Sequence, residues 1–487
     1  MTPAALNFPD VNFVPLLPVI SVLLGAVIAT LLGFYTSRRN VALVGSAFLV
    51  IALASLVGLW DRNLTSFDGA FRADNFALAF AGVILIGALL ATLASLDNAV
   101  RAKLSFPEFD AILLFAVTGT LLIAFAGDLV VLLIGLEVMS LASYILATFQ
   151  DSRRAEEAGM KYFLLGSVGS AILIYGIALV FGATGHFDFV GIAQAVSAQG
   201  FANEPLLVLG ALLLLAGFAF KVALAPFHQW TPDVYAGSPT VVTLFMSIVI
   251  KTAAFAGLLR VFQQALPDLD GWLIPAQVLI GLTVIVGNLT ALRQSELKRM
   301  LAYSAIAHSG FLMLGVLAEP QLGGPALIYY LLSYTLMNAA AFAVVAAIQR
   351  DDLGVSLEEL RGLYYRRPGL AIALALVLAS LGGLPPMAGF VGKYVVFAAA
   401  YQSGFVGITL LAVITSMIAL AFYLRPAVLM FSRPQEDSVI DHLPPRRIQP
   451  YSVATAVIGA VGTLLLGVLP QLVYGLLQGG SLLQALR

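Results

Sequence analysis

Residues 206–227 read LLVLGALLLLAGFAFKVALAPF, an apolar run that holds one charge, Lys221, and reaches Pro226 near its end. Roughly 20 apolar residues in a helix cross the hydrocarbon core of a bilayer. The segment therefore reads as a transmembrane helix with a lysine well inside it. A charge at mid-membrane costs about 2.5–3.5 kcal/mol on insertion scales, and proline inside a helix removes a backbone bond and crowds the preceding turn. A spanning helix that carries both features demands a functional reason for them.

The same ruler moved along the chain predicts an all-α polytopic membrane protein of about fourteen crossings. They are Phe13–Phe34, Val41–Trp60, Phe76–Leu96, Ala111–Ala126, Leu129–Phe149, Tyr162–Phe181 and Leu206–Phe227 in the first half. Val241–Phe262, Trp272–Leu292, Met300–Leu317, Ala326–Ile348, Leu370–Ala400, Val406–Leu429 and Val453–Leu477 follow in the second. Of the 487 residues 60% are hydrophobic and 10% charged, against about 25% charged in soluble domains. No polar stretch is long enough for a separate soluble module. The net charge of -1 provides no basic field for nucleic acid. The absence of cysteine excludes thiolate-held iron–sulfur clusters, cysteine zinc sites and disulfides. His186, His228, His308 and His442 lack metal-binding spacing, and no glycine-rich nucleotide motif is present. Met1–Asp10 lacks the basic region of a signal peptide, so the first apolar run reads as a retained helix.

The basic residues alternate with the crossings. Arg38 and Arg39, Arg101 and Lys103, Arg153, Arg154 and Lys161, Arg293, Lys298 and Arg299, then Arg350, Arg361, Arg366 and Arg367, and finally Arg433, Arg446 and Arg447 fall in odd-numbered loops. Even-numbered loops hold little beyond Arg62 and Arg72. The positive-inside rule then puts odd loops in the cytoplasm and both termini outside. Arg260 and Arg425 lie near helix ends, where a guanidinium can snorkel to the interface. Glu296 and Lys298 read as a solvated turn.

Lys251 in SIVIKTAAF, Lys393 in GFVGKYVVF and Glu137 in LLIGLEVMSLASYIL remain, with Lys221, as charges deep in apolar helices. Four such groups suit a relay of protonatable sites, since a carboxylate that moves or changes its hydration loads or unloads a neighbouring lysine. Breaks accompany two of the lysines: Pro226 follows Lys221, and Leu384-Pro385-Pro386-Met387 precedes Lys393. Freed carbonyls at that depth require protein partners or a hydrated cavity.

The positions also suggest a repeat, crossings 4–8 and 9–13. Five is odd, so adjacent copies are inverted; each has a broken fourth helix with a lysine and a titratable group, Glu137 or His308, on its second. The expected divisions are residues 1–108, 109–265, 266–435 and 436–487. His308 suits either a packed, hydrogen-bonded imidazole or a proton relay, and His228 a packed hairpin.

GLEVMSLASYILATF, EAGMKYFLLGSVGSA, KVALAPFHQWTPDVYAGSPT, NLTALRQSELKRMLAYSAIAHSGF and LGGLPPMAGFVGKY, spread over Gly135–Tyr394, resemble the N-type subunits of proton-pumping NADH:quinone oxidoreductase, respiratory complex I, among the antiporter-like subunits. The resemblance implies that Glu137 modulates Lys221, that Lys251 is a bridging lysine and Lys393 a terminal one, with His308 between them. Lysine at 393 separates the chain from the M-type, and the lack of room after Leu477 for a lateral helix separates it from the L-type. It implies a bacterial inner-membrane subunit with no cofactor of its own. FMN, iron–sulfur clusters and quinone would belong to partner subunits, and the neighbours would be of M-type and K-type. A subunit of an Mrp-type cation/proton antiporter or of a membrane-bound hydrogenase shares this pattern and stays open.

Overall fold

The computed structural model describes residues 11–98, 106–199, 204–349, 354–433 and 449–478. Arg101, Lys103, Arg350, His442, Arg446, Arg447 and Arg487 lie outside them. Among the described residues, 12 helices are long and apolar enough to cross a membrane. The first expected crossing is the shorter helix Leu17–Gly33, and the twelfth is divided into Pro368–Gly382 and Ala388–Gln402. Fourth and fifth crossings do part at Gly127-Asp128, between Glu108–Phe125 and Leu129–Thr148. Prolines Pro205, Pro320, Pro368 and Pro450 open helices, where the missing N–H would have had no partner anyway. Asp128 caps the Glu137 helix by accepting the Val131 N–H at 2.6 Å.

The connections gather on two faces. On one, an antiparallel hairpin pairs Leu64–Ser66 with Phe71–Ala73. Phe71 bridges to Ala126, and Asp128 to Asp188, so loops 2–3, 4–5 and 6–7 share that face. On the other, Glu296 bridges to Ser356, and the Leu297 N–H donates to the Val355 carbonyl at 2.8 Å. There Asp97 accepts the Ser452 N–H at 2.6 Å, joining loop 3–4 to loop 13–14. Odd and even loops thus segregate as the basic residues suggest.

Three helices are enclosed almost completely by the rest: Thr240–Ala265, Leu297–Leu317 and Pro320–Ile348. They carry Lys251, His308 and a run of tyrosines. Peripheral helices such as Arg38–Leu59, Arg153–Thr184 and Val406–Phe431 turn large apolar side chains outward, among them Val57, Val168 and Met417. That is the face a lipid solvent requires. The Lys251 helix departs from α-geometry in two π-helical stretches, Met246–Ile250 and Arg260–Ala265.

Three basic residues sit differently from expectation. Arg260 does not snorkel: it is 0% exposed and donates to both Asp74 oxygens at 2.8 and 2.7 Å, with its guanidinium 4.4 Å from the Phe76 ring centroid. The carboxylate at the start of the third helix supplies a partner that the local sequence around Arg260 does not reveal. Arg38 opens its helix buried, bonded to Asp110 at 2.9 Å and to the Ser95 hydroxyl at 3.1 Å. Lys298 is also buried rather than solvated, and donates to the Ser238 carbonyl at 2.6 Å. Its neighbour Glu296 is half-buried, with Oε1 unpartnered. Burial pushes the Glu296 carboxyl upward from its ordinary value, and Lys298, Arg154 and Arg299 offset this in part.

Two outcomes follow from these charges. Asp74→Ala leaves Arg260 buried without its counter-ion, a change that costs about 3–5 kcal/mol; the thermal midpoint of the detergent-purified assembly measures it. A carboxyl raised in the folded state penalises folding above its folded pKa, and the penalty fades as pH falls toward the unfolded value. Glu296→Gln is therefore expected to melt above the parent at pH 7 and to lose that advantage near pH 4, in melts of both proteins across that range.

Candidate functional site

Both breaks are made by the same turn. Pro205–Val222 ends at Ala223, in the left-handed region at φ 62°, and Pro368–Gly382 ends at Gly383, at φ 91°. In each, the turn residue's N–H returns to the carbonyl three back, Ala223 to Phe220 at 3.2 Å and Gly383 to Ser380 at 2.9 Å. The next residue reaches the carbonyl five back, Leu224 to Ala219 at 2.8 Å and Leu384 to Ala379 at 3.1 Å. This is the Schellman termination, in which a left-handed residue recovers the last carbonyls of a helix. In that register Pro226 aligns with Pro386, and Lys221 with Leu381.

Groups freed by the breaks find side chains. The Trp230 indole donates to the Phe220 carbonyl at 3.0 Å, and the Ala225 N–H donates to the Thr283 hydroxyl at 2.8 Å. The Gly389 N–H donates to the Ser380 hydroxyl at 3.0 Å. Gly389 has no room for a side chain, since a Cβ would lie 1.9 Å from the Ser380 carbonyl oxygen.

Each lysine lies within this frame. Lys221, 7% exposed, donates to the hydroxyls of Ser140 at 2.8 Å and Ser170 at 3.4 Å. Glu137 sits one turn from Ser140 on the same helix and is half-buried. Among the described residues no ion pair joins it to Lys221. Lys251, 3% exposed, donates to the Ala305 carbonyl at 2.6 Å and the Ser309 hydroxyl at 2.7 Å, both on the His308 helix. The Tyr334 ring centroid is 5.3 Å from its ammonium. Lys393, 4% exposed, reaches back across its break to the Leu381 and Gly382 carbonyls at 2.8 and 3.2 Å and to the Ser416 hydroxyl at 2.9 Å. Lys221 and Lys393 thus approach equivalent helix ends from opposite sides of the break.

His308 is 1% exposed. Its Nδ1 lies 2.7 Å from the Tyr330 hydroxyl and its Nε2 3.2 Å from that of Tyr423, which also meets the Ser304 hydroxyl. The structure therefore ties Lys251 to the helix that carries His308 and brings Lys393 alongside through Phe311, whose ring is 5.8 Å from the imidazole and 5.3 Å from the Lys393 ammonium. Among the described residues no hydrogen bond or ion pair joins Lys221 directly to Lys251. His228 stands apart, at the first break. Sequence reasoning missed the hydroxyls: Ser140, Ser170, Ser309, Ser416, Tyr330 and Tyr423. Polar tyrosine tips in enclosed apolar helices need partners, which was the available signal.

Buried lysines on two broken helices and on an enclosed, π-distorted one define an antiporter-like membrane subunit. The transmembrane family described as NADH:quinone oxidoreductase/Mrp antiporter matches residues 126–419, and the chain belongs to it. It is 54% identical over 479 residues to NADH-quinone oxidoreductase subunit N of Deinococcus radiodurans, covering 96% of this chain and 97% of that one. It is 40% identical over 484 residues to subunit N of Chloroflexus aggregans, covering 97% and 98%. A chain of respiratory complex I from Thermus thermophilus superposes with a TM-score of 0.81 at 40% identity, over 94% of this chain and 98% of that one. A chain of the Mrp complex from Dietzia shares the fold, with a TM-score of 0.82 at 24% identity over 96% of each chain. Within the family the chain falls with the N-type subunits.

Gly389→Ala is expected to push the Lys393 helix off Ser380, at about 1–3 kcal/mol for overpacking. Thermal melting of the assembly measures that cost, and an accompanying loss of coupled turnover reports the displaced lysine.

Proposed function

We propose that this chain, a membrane-arm subunit of NADH:quinone oxidoreductase, carries protons across the membrane through Glu137, Lys221, Lys251, His308 and Lys393. One observation supports this above the others: the ammoniums of Lys221, Lys251 and Lys393 donate to hydroxyls and carbonyls, and among the described residues no carboxylate lies within ion-pair distance of them. An ammonium without a counter-ion at such burial is expensive. A modest change in nearby charge or hydration then decides whether the amine keeps its proton, and Glu137, one turn beyond Ser140, is the group to make that change at Lys221.

Redox chemistry belongs elsewhere in the assembly, with FMN, iron–sulfur clusters and quinone in partner subunits. M-type and K-type subunits flank the chain in a bacterial inner membrane, and both termini face outward. The matching terminations at Ala223 and Gly383 support two inverted halves, residues 109–265 and 266–435, with residues 1–108 and 436–487 around them. Relatives of the N-type at 40–54% identity favour the respiratory assembly over an Mrp antiporter or a hydrogenase.

Each proton moved outward works against about 2.3 kcal/mol per 100 mV, so the lysines must pass protons without a standing leak. Lys221→Ala in the assembled complex is expected to abolish most NADH-driven proton pumping into vesicles. Pumping at the parent rate would remove Lys221 from the path.

A further inference from the structure

We propose that Tyr330 and Tyr423 are relay residues, forming with His308 a hydroxyl–imidazole–hydroxyl wire between the surroundings of Lys393 and those of Lys251. The inference rests on the relay function above and extends it to two side chains whose hydroxyls occupy both ring nitrogens.

A neutral imidazole has one N–H donor and one bare nitrogen acceptor, whereas a phenol hydroxyl both donates and accepts. Two arrangements satisfy the pair of bonds. In the first, Tyr330 donates to Nδ1, and Nε2–H donates to Tyr423. In the second, Nδ1–H donates to Tyr330, and Tyr423 donates to Nε2.

Passage of a proton converts the first into the second. A proton arrives on the Tyr330 oxygen, and the one that oxygen held moves to Nδ1. The Nε2 proton crosses to the Tyr423 oxygen. The proton that Tyr423 held passes to the Ser304 oxygen, which gives up its own. One proton enters, one leaves, and every oxygen and the ring end neutral. The hydroxyls and the tautomer must then reset before a second proton follows in the same direction, so the wire does not conduct continuously.

The surroundings favour this neutral route. Among the described residues no carboxylate bonds the imidazole. Its neighbours are the Tyr334 and Phe311 rings, at centroid distances of 5.2 and 5.8 Å. An imidazolium there would be buried without a counter-ion.

Each end of the wire lies beside a residue next in the chain to a lysine or to its partner. The Tyr330 ring packs on Gly392, where a Cβ would lie 2.5 Å from it, and Gly392 precedes Lys393 in the chain. Ser304 precedes Ala305, whose carbonyl accepts from Lys251. Tyr423 and Ser416 are seven residues apart on Val406–Phe431, which puts them on one helix face about 10 Å apart. One helix thereby holds both His308 and Lys393.

The test uses the full assembly in membrane vesicles, with NADH oxidation and proton uptake measured together. Tyr330→Phe and Tyr423→Phe keep the rings and remove the hydroxyls. Each is expected to slow coupled turnover about tenfold, allowing for a water that substitutes in part for the lost group, and to raise the solvent deuterium isotope effect as proton transfer becomes limiting. Tyr329→Phe is the control: it deletes a neighbouring buried hydroxyl, bonded to the Leu466 carbonyl at 2.7 Å, that lies off the wire. Its turnover and isotope effect are expected to match the parent. If both wire variants turn over like the parent while His308→Ala and Lys251→Ala are slow, the wire is overturned and the relay stands. Loss in only one of the two tyrosine variants also overturns a path that needs both hydroxyls. If none of the His308, Lys251 and Lys393 substitutions slows pumping, the relay itself has failed, and the wire falls with it.

Discussion

A backbone group that leaves its helix inside hydrocarbon has no water to bond, and the architecture turns on how two such departures are satisfied. At each break a left-handed residue ends the helix, recovers two carbonyls, and leaves the negative end of a helix dipole facing protein. Cations are favoured at such an end. Lys221 lies in the last turn before its break, and Lys393 reaches the carbonyls of Leu381 and Gly382 from beyond its own. At Lys393 the break and the buried cation therefore relieve one another, carbonyl dipoles partly compensating the charge and the charge satisfying the carbonyls, whereas Lys221 donates to the Ser140 and Ser170 hydroxyls.

This compensation involves no carboxylate, and that distinguishes the relay lysines from the buried arginines. Arg260 is locked to Asp74 by two short bonds, and Arg38 to Asp110. Such pairs serve as struts. The lysines meet serine hydroxyls and peptide carbonyls, partners that bond a side chain without fixing its charge. Arg38 and Arg260 thus differ from Lys221, Lys251 and Lys393 in what touches them.

The crossings were legible in the sequence because hydrocarbon imposes length and apolarity on every span, and the alternation of basic residues fixed their order. The deep charges Glu137, Lys221, Lys251 and Lys393 were legible for the same reason, being rare where they stand. Long-range partners were not. Nothing near Arg260 points to Asp74, 186 residues away, and nothing near His308 points to Tyr423, 115 residues away. Lys298 looked solvated because it stands in a polar turn, yet the fold lays the Ser238 carbonyl over it. The match between the two breaks was hidden because their lysines fall on opposite sides of the proline. It emerges once Ala223 and Gly383, and not the lysines, set the register.

The hydroxyl of Thr283 accepts the Ala225 amide at the first break, although it belongs to the helix Leu273–Leu292 in the second half of the chain. Lys298, also from that half, takes the carbonyl of Ser238 just beyond the same break. The two parts of the chain consequently complete this break together. Cut apart at the intervening loop and produced as separate polypeptides, the first would carry an orphaned amide at bilayer depth, and only reassembly with its complement would close it.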